Sequence, residues 1–175
     1  MRRRQRIPWP LLALMALAAL AACSRPPADD AGRKARVYEL FAGYRKDFPQ
    51  APEMPAEVAV ALAGRGELLP IDMREPAERA VSTLPGAVTA KEYLADPSRF
   101  AGKKAVAYCT IGYRSGVWAQ QEALAGRAVA NLAGGLLGWL HAGGTLVDAK
   151  GAPTKTVHVY GRTWDLAPTG YVSVW

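Results

Sequence analysis

Apolar positions recur along the chain with a period that changes from segment to segment, and each change marks an element. Leu11 to Leu20 is an unbroken Leu/Ala/Met run without charge. Residues 24 to 32 carry no period and read as a tether. Val37, Leu40, Phe41, Tyr44 and Phe48 then recur at i, i+3, i+4, i+7 and i+11, the single apolar stripe of an α-helix laid on a core. Pro49 and Pro52 break it, and Pro55 opens a second helix through Ala63 that Gly64 and Gly66 stop. Leu68 to Met73 reads as a strand, Ser82 to Val88 as a turn into a short strand, and Lys91 to Phe100 as a helix broken at Asp96-Pro97. Ala105 to Cys109 is again a strand. A helix starting near Ser115 follows, carrying Val117, Trp118, Ala119, Ala123 and Leu124 and ended by Gly126. Val129 to Leu132 is a strand, Gly134-Gly135 a turn, and Leu136 to His141 a short helix closed by Gly143-Gly144. Strands alternating with helices across short connections predict an α/β fold, doubly wound about a mainly parallel sheet, with no internal repeat. Beyond it, alternation at 156 to 160 predicts one strand, and Trp164, Tyr171 and Trp175 predict a β-like extension packed back on the domain.

Charge changes the reading of the first segment. Arg2, Arg3, Arg4 and Arg6 precede the apolar run, which is too short for a comfortable span of about 20 residues, and small residues follow it before Cys23. This order is that of an export signal. The whole chain of 175 residues has net charge +7; removing those four arginines from the 22 basic side chains leaves 18 against 15 acidic ones. The basic character is largely that of the signal, so no nucleic-acid partner is implied. Half of the residues are hydrophobic, enough for one globular domain with a core.

Candidate chemistry centres on Cys109-Thr110-Ile111-Gly112-Tyr113-Arg114-Ser115, where a strand runs into a helix. Loop amides and the unpaired amides of a helix's first turn converge at such a turn, with a helix-end partial charge of about +0.5. Arg114 adds a full positive charge, Gly112 lets the loop curl, and Ser115 stands where it would cap the helix. Helix N-termini and cationic neighbours favour a thiolate, so Cys109 reads as a reactive thiol. Asp72, Arg74 and Glu78 lie just beyond a strand's carboxyl end, where α/β sheets build sites, and read as an ion-pair network holding that end. His141 and His158, the two histidines, are far apart and have no ligand-spaced partners, so neither a metal site nor a cofactor is expected. Trp118 and Trp139 read as core, and Gly134-Gly135 lacks the lysine of a phosphate-binding loop.

Two resemblances add to this. Leu20-Ala21-Ala22-Cys23 resembles the end of a bacterial lipoprotein signal. The resemblance implies a signal peptide over 1–22, cleavage before Cys23, a lipid on its thiol and a tether over 23–32; Ser24 resembles the pattern of outer-membrane sorting, facing the periplasm. With Cys23 lipidated, Cys109 has no intramolecular disulfide partner. Further on come four motifs: Ile71-Asp72-x-Arg74-x-x-x-Glu78, Leu84-Pro85-Gly86-Ala87, the Cys109 to Ser115 loop, and Asn131-Leu132-x-Gly134-Gly135-x-x-x-Trp139. In this order and spacing they resemble a single-domain rhodanese. The match covers about 53–144 of a domain taken as 33–144, with 145–175 as the extension. Ser82-Thr83 stands where the family often has Gly-His, and Pro70 falls inside a strand that should be central.

That resemblance implies sulfurtransfer through a persulfide on Cys109, with a sulfur donor such as thiosulfate and a thiol or cyanide acceptor. Amides from Thr110 to Ser115 would hold the sulfur anion and Arg114 the donor's sulfonate. Two other readings stay open: a sulfur-carrying or partner-docking module without turnover, and a phosphatase or arsenate reductase, which relatives of the fold also provide. Family phosphatases place arginine six positions after the cysteine; here it is fifth, and the smaller loop favours sulfur.

Overall fold

The computed structural model describes residues 27–175. The expected signal over 1–22, the lipid-bearing Cys23 and residues 24–26 of the tether lie outside the described residues. Helix α1 (Asp30–Tyr44) runs into a 3-10 turn at Arg45–Asp47. Then come β1 (Glu53–Met54), α2 (Ala56–Gly64), β2 (Leu68–Asp72), α3 (Pro76–Val81), β3 (Val88–Thr89) and α4 (Ala90–Ala95). They are followed by β4 (Lys104–Tyr108), α5 (Tyr113–Leu124), β5 (Val129–Leu132) and α6 (Gly135–His141). The C-terminal segment adds β6 (Leu146–Val147), β7 (Pro153–Thr154), β8 (Thr156–His158) and β9 (Val172–Val174).

Five strands form one parallel sheet in the order β1-β5-β4-β2-β3, the α/β architecture that the alternation predicts. Both faces are covered, which is why β2 reads as a continuous apolar run and is buried throughout. On one face Leu68, Val106, Tyr108 and Leu132 pack with Val37 of α1, Ala56 and Ala59 of α2, and Leu136 of α6. On the other, Leu69, Ile71, Ala107 and Val129 pack with Tyr93 of α4 and Trp118 of α5. Trp118 is a correction: it is half-buried at the edge of this second cluster, whereas Trp139 is fully in the core.

Pro70 sits in β2 without breaking it. Lys104 N–H donates to Glu67 O and Met73 N–H to Tyr108 O, so the odd-numbered residues of this stretch turn their peptide groups toward β4. Pro70 therefore faces β3, which reaches only Ile71 and Asp72, and its missing N–H costs no ladder bond.

The tether expectation needs correcting at its end. α1 begins at Asp30, because the Asp29 side chain accepts from Gly32 N–H at 2.7 Å and caps the helix. The Asp30 carboxylate in turn accepts from the Thr169 amide at 2.7 Å and hydroxyl at 2.8 Å, and Arg33 donates to Ala167 O at 2.8 Å. Val157, Val159, Leu166 and Ala167 share one apolar cluster with Val37 and Leu136. Residues 145–175 thus pack back on the domain, and these four side chains enter its core. The sequence reading missed β1, two residues long, and α3, six residues long, since neither extends over a full apolar period.

Gly116 of α5 meets the Phe48 ring so closely that any Cβ would fall inside its van der Waals envelope, and Phe48 is buried and cannot swing away. Gly116→Ala is expected to lower stability by about 1–3 kcal/mol through overpacking, outweighing the gain of roughly 1 kcal/mol that alanine brings to a helix interior. Urea denaturation checks this; a more stable variant would show that the ring and helix do not meet.

Candidate active site

Cys109 follows β4 directly, and its loop is shaped by α6. Leu136 N–H donates to Cys109 O at 2.8 Å and Leu137 N–H to Thr110 O at 3.1 Å, so two loop carbonyls occupy the free amides at the start of α6. Because the peptides are trans, the N–H groups of Thr110 and Ile111 then turn away from α6. This approach requires glycine: at Gly135, with φ of 58°, a Cβ would stand 2.7 Å from the Gly112 nitrogen. Gly112 itself has φ of 94° and turns the chain into α5. Its N–H lies 3.3 Å from the Cys109 sulfur. The amides of Tyr113, Arg114 and Ser115 have no backbone acceptor among the described residues, as is usual for a first helical turn.

Ser115 does not cap this helix, contrary to the sequence reading. Gly112 takes the N-cap position, and Ser115, one turn in and fully buried, donates to Asn131 Oδ1 at 2.7 Å. Asn131 Nδ2 donates to Gly112 O at 2.9 Å, so one buried amide ties the middle of the loop and its helix end to β5. Asn131 was not among the expected site residues, although a lone amide side chain within an apolar strand was the signal available.

The expected network of Asp72, Arg74 and Glu78 is two pairs. Arg74 grips Asp72 through Nε at 3.0 Å and Nη2 at 2.7 Å and donates to Ser82 O at 2.6 Å. Tyr108 OH also donates to Asp72 and accepts from Leu84 N–H at 3.2 Å. Burial and the adjacent Asp72 charge push the Tyr108 pKa up, keeping the phenol a donor. This sealed cluster clamps the ends of β2 and β4. Glu78 belongs elsewhere: a capping box with Glu75 orients it on α3, and it pairs with Arg114 at 2.7 and 2.8 Å while accepting from Thr110 Oγ1 at 3.3 Å. Arg114, expected only as a positive charge beside Cys109, is thus also half of an ion pair. Burial opposes its charge, but Glu78 and Cys109 outweigh burial and raise its pKa. Burial likewise works against the Glu78 carboxylate, and Arg114, the Glu75 amide and Arg74 outweigh it, holding the carboxyl below its usual range.

Cys109, Thr110 and Ile111 line a pocket of about 390 Å³ walled by Tyr44, Tyr113 and Arg114 and roofed by Tyr160 and Trp164. The structure thus brings the loop residues and Glu78 to one place and leaves Asp72 and Arg74 behind it. Tyr44 belongs to the predicted core stripe of α1, and nothing in the local sequence around Tyr160 or Trp164 marks them as pocket residues.

A sequence model of the rhodanese-like domain matches residues 55–142, half of the chain. The chain belongs to the rhodanese-like domain family. Among solved structures it is similar to a thiosulfate sulfurtransferase from Pseudomonas aeruginosa, at 24% identity and a TM-score of 0.51. That match covers 68% of this chain and 24% of that one, so the chain spans about a quarter of that protein. A Rhodopseudomonas palustris protein of unknown function, called there a possible tyrosine phosphatase, is 27% identical over 62% of this chain and 91% of its own, with a TM-score of 0.46. A rhodanese-related protein from Thermoplasma volcanium is 20% identical over 55% of this chain and 97% of its own, at 0.43. No curated protein matches the sequence. Against the rhodanese-like match, Tyr44, Tyr160 and Trp164 all lie outside the matched residues.

Glu78→Gln is expected to cost about 1–3 kcal/mol, less than the 3–5 kcal/mol of a fully buried pair because the Arg114 side chain is 31% exposed. The Glu78 pKa is lowered in the folded protein, so the pair's contribution is complete above the ordinary carboxylate pKa of 4.5 and is lost as pH falls below it. Denaturant titrations across pH 3–7 check this: the acid slope of the native protein flattens in Glu78→Gln.

Proposed function

We propose that this rhodanese-like chain is a sulfurtransferase that moves a sulfane sulfur through a persulfide on Cys109. The observation that carries this is the Cys109 sulfur 3.3 Å from the Gly112 nitrogen, at a loop that lines a pocket together with Arg114 and leads into a helix whose first amides have no backbone acceptor. The Cys109 thiolate attacks the outer sulfur of a donor, thiosulfate or a persulfide. A new S–S bond forms, the donor's own S–S bond breaks, and its electron pair leaves on sulfite or thiolate. The loop amides are then preorganised for the terminal persulfide sulfur as they would be for an oxyanion. A thiol or cyanide removes that sulfur and restores the thiolate. Arg114, already paired with Glu78, keeps three further N–H donors for the donor's oxygens.

Intact-protein mass spectrometry after thiosulfate treatment tests this. One added sulfur, removed by cyanide and absent in Cys109→Ser, is expected, with negligible phosphate-ester hydrolysis. Efficient phosphatase activity lost in Cys109→Ser, from a protein that gains no sulfur, overturns the proposal in favour of phosphoryl chemistry. Added sulfur without thiocyanate turnover favours a carrier module instead.

We further propose that Cys23 is a lipid attachment site and that the domain faces the periplasm from the outer membrane, on the support of the basic, apolar and small-residue order of the first 23 residues. Cys23→Ser is expected to move the protein from the membrane to the soluble fraction; a variant that stays as firmly bound refutes the anchor.

A further inference from the structure

Three of the residues lining the pocket come from parts of the chain outside the rhodanese-like match. Tyr160 and Trp164 come from the C-terminal segment and Tyr44 from α1, whereas the match begins at residue 55 and ends at residue 142. The position of Tyr160 is held against its backbone preference. Its φ of 68° is left-handed, and Tyr160 is the one non-glycine residue with positive φ among those described. Buried Val157 and Val159 anchor the chain before it, the Tyr160 amide donates to His158 Nδ1 at 3.1 Å, and its ring lies 5.2 Å from the Arg114 guanidinium carbon. Trp164 meets that ring edge-on at 5.5 Å. Strain retained in this way marks a residue whose location matters.

The chemistry of the walls is lopsided. Arg114 is the one cation among the described lining residues, and Glu78 neutralises it while Tyr160 covers it. A compact dianion finds little unbalanced charge there. A flat apolar group finds four aromatic rings in the lining, Tyr44 and Tyr113 edge-on at 5.4 Å and Tyr160 and Trp164 edge-on at 5.5 Å. The volume of about 390 Å³ equals the share of roughly a dozen waters, far more than thiosulfate fills.

Resting on the sulfurtransfer reading above, we infer that the donor is an organic sulfane-sulfur compound with a flat apolar body, and that Tyr160 and Trp164 select it. In the transfer, the Cys109 thiolate bonds to the donor's terminal sulfur. The bond from that sulfur to the sulfur bearing the organic group breaks, and the electron pair leaves as a thiolate from a persulfide or a sulfinate from a thiosulfonate. No outside oxidant or reductant enters.

The test compares kcat/KM for benzenethiosulfonate and for thiosulfate in the full-length protein, with cyanide as the common acceptor and thiocyanate as the product. The aromatic donor is expected to be preferred by about tenfold or more, and Trp164→Ala to lower that ratio about tenfold, the scale of a lost pocket contact. Tyr160→Gly removes the ring while suiting the left-handed backbone, so it keeps the test valid if Trp164→Ala fails to fold. A ratio near one in the native protein, or a ratio unchanged in Tyr160→Gly and in any folded Trp164→Ala, overturns the inference and leaves sulfurtransfer standing. If neither donor yields thiocyanate or a sulfur on Cys109, the sulfurtransfer reading falls, and the inference with it.

Discussion

Two backbone hydrogen bonds, from the first amides of α6 to the carbonyls of Cys109 and Thr110, set the geometry on which the site depends. Amides at a helix start must find partners, and here they find the loop rather than solvent or a ligand. The loop peptides are thereby rotated, with their own N–H groups turned away from α6. Gly135 allows the approach, and Asn131 fixes the loop from the side by bonding Gly112 O and Ser115 Oγ together. The Gly112 N–H that points at the Cys109 sulfur is thus held in place by the fold itself.

Electrostatics then divides the molecule into a structural pair and a site pair. Asp72 and Arg74, sealed with Tyr108, hold the carboxyl ends of β2 and β4 together. Their burial makes the pairing itself compulsory, since a lone buried charge would cost several kcal/mol. Glu78 is delivered by α3, whose capping box points it across to Arg114. One helix of six residues thus sets the charge state at the pocket wall. An acidic residue beside the arginine offsets its positive charge at that wall.

The C-terminal segment joins core and site in one stroke. Val157, Val159, Leu166 and Ala167 complete the apolar cluster around α1 and α6, while Tyr160 and Trp164, carried between them, line the pocket that Cys109 also lines. A residue that completes the core is held rigidly, and aromatic side chains between such anchors can be placed over the pocket even at the cost of a left-handed tyrosine.

What the sequence determined by itself was everything governed by local pattern. The 3.6-residue stripe of α1, the apolar runs of β2, β4 and β5, and the strand-to-helix turn at Cys109 follow from period and turn chemistry within a few residues. The loop that holds Cys109 was legible for the same reason, because its cysteine, glycine and arginine are neighbours in the chain. Tertiary structure alone decided which charge met which. Glu78 lies four residues from Arg74 yet pairs with Arg114, 36 residues away, because α3 turns its side chain across the sheet's end. It decided that Ser115 would bond Asn131 instead of capping, since Gly112 had already taken the cap with a positive φ. It also decided the harmlessness of Pro70, which depends on how far β3 extends beside it, and the pocket role of Tyr44, Tyr160 and Trp164. Contacts between distant segments depend on how elements pack, and no window of the sequence contains that information.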